Sequence, residues 1–233
     1  MAYGIESLEG AKREVMRRVR ARIGQGLVED AEVIRYPTLF VLVREDNPEA
    51  VNLVGSYGYW NKETGHYIDI IFCGWSCEET QALGSISNGV GAVTGFSLDY
   101  YTKCQDDLRK ISKWKPSGDI DLLYVDFLCE PDLNNGDFDF SCAVPLLIGI
   151  MAKKDKVASV QVLLQNIVNL ARDSYNEGTP GSMLETSNKL LFKKIGAKIL
   201  QWFSRAYCKD AGEVYEELKL YTPRDMTLAR VQP

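Results

Sequence analysis

A single histidine, His66, serves the whole chain of 233 residues. A Ser-His-Asp or Cys-His scheme would have to run through it, yet it closes Asn61-Lys-Glu-Thr-Gly-His66, a polar stretch with turn chemistry. The sequence contains no G-x-S-x-G elbow, P-loop, EF-hand, H-E-x-x-H or G-x-G-x-x-G, which leaves elbow hydrolases, kinases, GTPases, zinc proteases and Rossmann dehydrogenases without support. Long apolar runs are missing too. The longest, Ala143 to Ala152, has ten residues, about half of the ~20 that a membrane-spanning helix needs. No apolar stretch follows the first residues, where Glu6 and Glu9 stand, so the expectation is a cytoplasmic protein without a signal peptide and without membrane contact. Its six cysteines are then reduced thiols. The closest pair, Cys73 and Cys77, has three residues between and no partner pair of similar spacing, so no metal site is expected.

Charge of one sign is missing block by block. From Pro116 to Ala152 there is no Lys or Arg but there are seven acids: Asp119, Asp121, Asp126, Glu130, Asp132, Asp137 and Asp139. From Asn188 to Lys209 there is no acid but there are six cations. Residues 12 to 22 carry Lys12, Arg13, Arg17, Arg18, Arg20 and Arg22 against Glu14 alone. The total of −5 argues against a general nucleic-acid binder, which needs a cationic face. The blocks themselves point to contacts with a partner or a second copy.

Hydrophobic periodicity organises the rest. Ile5, Leu8, Ala11, Val15, Val19 and Ile23 recur at three- and four-residue steps, predicting a basic amphipathic helix over about 7–24. Residues 38–44, 51–60 and 66–73 are β-branched and aromatic runs separated by Asp46-Asn47-Pro48 and Glu63-Thr64-Gly65, and read as an antiparallel meander. Helices are expected over 97–113 and 157–175, a Gly-rich loop over 79–97, and a central strand over Asp121 to Cys129. No repeat or linker divides the chain, so one α+β domain over 1–233 is expected, with a mixed, mainly antiparallel central sheet flanked by helices and a polar tail over 222–233.

Three patches resemble the GNAT superfamily of N-acetyltransferases. Phe40-Val-Leu-Val-Arg-Glu45 followed by Val51-Asn-Leu-Val-Gly-Ser-Tyr-Gly-Tyr-Trp60 is similar to that family's second and third strands, a hairpin. Leu123-Tyr-Val-Asp-Phe-Leu-Cys-Glu-Pro131 looks like its fourth strand, whose end splays from its neighbour to admit the pantetheine arm of acyl-CoA. Leu184 to Asn188 and Leu191 to Lys198 resemble its closing strand, Asn and helix. The resemblance covers about fifty residues of the chain. It implies a GNAT-like acyl-CoA N-acyltransferase fold and an acetyltransferase using acetyl-CoA on a small amine or lysine substrate. Glu130 would be the general base and Tyr124 a candidate acid, with Leu128, Cys129, Asn188, Lys189 and Lys193 binding the cofactor. The pyrophosphate would lie at one of two loops, 87–92 or 130–143. The second holds one glycine, several aspartates and no cation, and Phe192 stands where the family carries a thiolate-protonating tyrosine. These departures favour an alternative: a catalytically silent binding or assembly protein that retains the fold.

Overall fold

We describe a computed structural model of the chain, covering residues 2–23, 34–78, 92–112, 116–130, 132–146 and 160–177. Its centre is a five-stranded mixed sheet in the order β1 (Ala2–Ile5), β3 (Asp69–Cys73), β2 (Ile34–Leu42), β6 (Asp121–Cys129), β7 (Gly136–Leu146). β1 and β2 run parallel to β3, whereas the longer β2–β6 and β6–β7 ladders are antiparallel. A two-stranded antiparallel sheet, β4 (Trp75–Glu78) with β5 (Ala92–Phe96), continues from β3 through Gly74. The fold is thus α+β, as the composition and patterning suggest.

The parallel strands require crossovers. α1 (Leu8–Ile23) carries the chain from β1 past β3 to β2, and α2 (Pro48–Gly55) with α3 (Tyr57–Thr64) carries it back from β2 to β3. Because crossovers are right-handed, the outward and return connections cover opposite faces. α4 (Leu98–Ser112) packs against β3, β7 and α1, and α5 (Val160–Glu177) packs against α2 and α3. Covered on both sides, β2, β3 and β6 become near-continuous apolar runs: Leu39 to Leu42, Ile70 to Cys73 and Leu122 to Val125 are fully or almost fully buried.

The expected meander is not formed. Residues 51–60, read as its second strand and as the returning strand of the GNAT-like hairpin, are helical. Asn47 caps α2, its Oδ1 accepting from the Glu49 N–H at 2.9 Å, and Pro48 occupies the first turn, where its missing N–H costs nothing. Ala50, Leu53, Val54, Tyr57, Trp60 and Thr64 are buried, a spacing of three and four residues that belongs to a helix. Trp60 Nε1 donates to the Leu53 carbonyl at 3.1 Å, locking α3 onto α2. Composition here is β-like and period is helical, and period prevails because it decides which face is buried. Consequently the expected strand over 66–73 begins only at Asp69, and it runs parallel, not antiparallel, to β2. The helices over 97–113 and 157–175 are present as α4 and α5, and the glycine-rich stretch ends in β5.

Candidate binding cleft

Helix α1 buries Leu8, Ala11, Val15, Met16 and Val19 against the sheet. One cation follows them inward. Arg18 is only 8% exposed and lies 2.8 Å from Glu14 and 3.6 Å from the fully buried Asp69, which also accepts from the Tyr36 hydroxyl at 3.1 Å. Burial alone would raise the Glu14 carboxyl, but hydrogen bonds from Arg17 and Arg18 outweigh it and hold the group below its ordinary range.

The outer face of α1 meets the turn between β6 and β7. Lys12 pairs with Asp137 at 3.2 Å, and Arg20 donates through Nε and Nη2 to the Leu133 carbonyl at 2.9 and 2.6 Å. That carbonyl belongs to a tight turn in which Leu133 adopts φ 58°. The turn is closed by the Glu130 N–H donating to the Asn135 carbonyl and by the Leu133 N–H donating to the Glu130 carbonyl. Asp132 accepts from the Asn134 backbone and side chain, and Asn135 Nδ2 donates to Glu130 at 3.1 Å. The basic block and the 130–137 part of the acidic block therefore face one another within the chain.

Between them lies a cleft of about 820 Å³. Its α1 wall carries Glu9, Lys12, Arg13, Arg17 and Arg20; its other wall carries Glu130, Asn134, Asn135 and Asp137. Met16, Leu128, Cys129 and Gly136 complete the lining. Gly136 is required there, since a Cβ would come within 2.7 Å of the Phe127 ring and 2.8 Å of Met16 Cε. The Cys129 sulfur is 3.5 Å from that of Met16. Burial pushes the Cys129 thiol up to about 11, Arg20 offsetting part of the rise and Asp132 and Glu130 adding to it. At neutral pH it is a thiol, not a nucleophilic thiolate.

Of the residues singled out from sequence, Leu128, Cys129 and Glu130 line this cleft together. Tyr124 is elsewhere: it is 1% exposed, in register with Leu39 and Val144, and six residues of strand from Glu130, about 20 Å. Burial, with Asp126 and Tyr36 adding, pushes its hydroxyl well above the ordinary value. Such a group does not hand a proton to a ligand in the cleft. The end expected to splay is instead paired on both sides, Cys129 lying opposite Ile34 of β2 and Gly136 of β7. The segment 130–143, one of the two pyrophosphate loops considered, forms a turn and most of β7 rather than a loop entering a helix. Asn188, Lys189, Lys193, Phe192 and all of the other loop but Ala92 lie outside the described residues. Sequence reasoning missed Arg13, Arg17, Arg20 and the two asparagines. Their signal was the opposed charge of the two blocks, which only the fold brings into contact.

Two further carboxylates are perturbed. Asp126 shares Arg35 with Asp139, at 3.4 and 3.8 Å; burial lifts it to about 7, with Arg35 opposing and Asp139 adding. Asp121, bonded by the Ser117 N–H and hydroxyl, is lifted by burial to about 6 despite those bonds. Among the described residues no group of three or more His, Cys, Asp or Glu is arranged to hold a metal ion, and no helix is long and apolar enough to cross a membrane. Comparison with protein families, curated proteins and solved structures finds no match to this chain.

Proposed function

We propose that this chain is a small-ligand binding protein without catalytic chemistry, its site being the cleft between α1 and the β6–β7 turn. The cleft itself carries this reading. At about 820 Å³ it falls within the ~300–1,000 Å³ of ordinary ligand pockets, and it sets a wall of four cations and one carboxylate, Glu9, against a wall of carboxylates and side-chain amides. Its titratable groups are not arranged for catalysis: the Cys129 thiol is held protonated, and Tyr124 is sealed in the sheet. Assembly through free charged blocks has less to draw on, because Lys12 and Asp137 already engage each other.

The acyl-CoA N-acyltransferase reading, with its GNAT-like fold, draws on one observation, the exposed Glu130 carboxylate at the cleft rim beside Leu128 and Cys129. A thermal-shift panel separates the two. The probes are ADP, acetyl-CoA, spermidine and glutamate, applied to the wild type, Arg13→Glu and Asn134→Trp. Binding in the cleft raises the melting temperature with at least one probe, and both variants, each altering an exposed lining residue, abolish the shift. A silent panel, or a shift indifferent to both variants, overturns the binding reading. Release of free CoA from acetyl-CoA in the presence of spermidine restores the enzyme.

A further inference from the structure

The lining of the cleft narrows the class of ligand, on the footing of the binding role just proposed. Arg13, Arg17 and Arg20 stand on the α1 wall at steps of four and three residues, a row spanning about 10 Å of helix at ~1.5 Å per residue. Glu14 grips Arg17 through both carboxylate oxygens, at 2.8 and 2.6 Å, and the Leu133 carbonyl grips Arg20, so these guanidinium planes are set before any ligand arrives. Arg13 is exposed and makes no ion pair among the described residues. The Nε–Nη2 edges of Arg17 and Arg20 are spent on those partners, so Arg13 supplies the guanidinium fork that suits phosphate oxygens, which accept paired N–H groups, and Arg17 stands one turn away to reinforce it.

The opposite wall excludes a bare polyanion. Glu130 presents a carboxylate oriented by Asn135, which would repel a second phosphate but accepts hydrogen bonds from a pair of hydroxyls. Met16 and Leu128 supply apolar surface between the walls. A ligand meeting all three conditions carries phosphate at one end, vicinal hydroxyls in the middle and a flat, weakly polar ring.

We infer that the cleft takes a nucleoside phosphate, with its phosphates on Arg13 and Arg17, its sugar hydroxyls on Glu130 and its base over Met16 and Leu128. Isothermal titration of the full chain tests this with ADP, adenosine, inorganic pyrophosphate, acetyl-CoA and spermidine. ADP is expected to bind at least tenfold more tightly than either adenosine or pyrophosphate. Arg13→Ala should weaken ADP about tenfold and lower the salt dependence of binding. Glu130→Gln should weaken ADP while strengthening pyrophosphate, an opposition that a merely structural role would not produce. Thermal melts of both variants confirm folding, since both side chains are exposed. Adenosine or pyrophosphate binding as well as ADP overturns the inference, as does ADP binding unaffected by Arg13→Ala. If spermidine alone binds, and Asn134→Trp abolishes it, the ligand class is wrong while the cleft stands. If no probe binds, the binding role falls with it. Acetyl-CoA binding at least tenfold more tightly than ADP would move the assignment from a simple nucleotide to an acyl carrier and overturn it in that form.

Discussion

Replacing Asp126 by asparagine should flatten the pH dependence of stability between pH 5 and 8. Asp126 is almost fully buried and titrates at about 7 in the fold, against 3.8 for an ordinary aspartate in water. Its pKa is raised on folding, so its stabilising contribution is complete below about pH 4 and disappears as pH rises through 7. The whole rise, from 3.8 to about 7, corresponds to about 4 kcal/mol at ~1.36 kcal/mol per pH unit. Between pH 5 and 8 alone, the two-state titration gives about 3 kcal/mol. Asp121, raised to about 6, adds about 1 kcal/mol of the same sign over that window. Glu14 is shifted the other way and titrates below it. Urea unfolding of the wild type should therefore lose about 4 kcal/mol from pH 5 to 8, and Asp126→Asn only about 1. Arg35 keeps Asp139 as a partner in the variant, so no buried cation is stranded. Parallel curves for the two proteins would refute the claim that burial, rather than the Arg35 pair, governs this carboxyl.

Four other substitutions probe the fold around the sheet. Gly74 joins β3 to β4 at φ +80°, and a Cβ there would approach the Tyr101 backbone to 2.8 Å; Gly74→Ala should cost upward of about 3 kcal/mol by denaturant titration. Gly136→Ala should lower stability by about 1 to 3 kcal/mol through the Phe127 and Met16 contacts, and Met16→Ala, which removes the second of these, should show favourable coupling with it in a double-mutant cycle. Removing the α2 cap with Asn47→Ala should cost about 1 to 2 kcal/mol, since the Asn47 Nδ2 hydrogen bond to Asp119 at 2.6 Å is lost with it, with accelerated hydrogen exchange in the first turn of α2.

Much of this architecture is legible in the chain. Helix α1 announces itself through six apolar residues at helical steps, and β6 through a near-unbroken apolar run. Residues 48–64 are not legible by composition, because valine, tyrosine and tryptophan favour strands while the buried positions follow a helical period. Strand β7 is obscured by Asp137 and Asp139 among its own first residues and by the two asparagines of the turn that precedes it. The site is half visible. Leu128, Cys129 and Glu130 stand out as the end of a strong strand, but the arginine wall facing them is distant in sequence, Arg20 and Leu133 being 113 residues apart. Only the α1 crossover, set by the parallel pairing of β1 with β3, brings the two charge blocks together.

The central claim is that a ligand seats between α1 and the β6–β7 turn, and backbone amide chemical shifts test it most directly. Titrating ADP into isotopically labelled protein should move resonances of residues 9–20 and 128–137 together, saturably, with those of Arg44, Ser117 and Asp121 at the other end of the sheet unmoved. Shifts confined to that other end, or no shifts at millimolar ADP, would contradict the account.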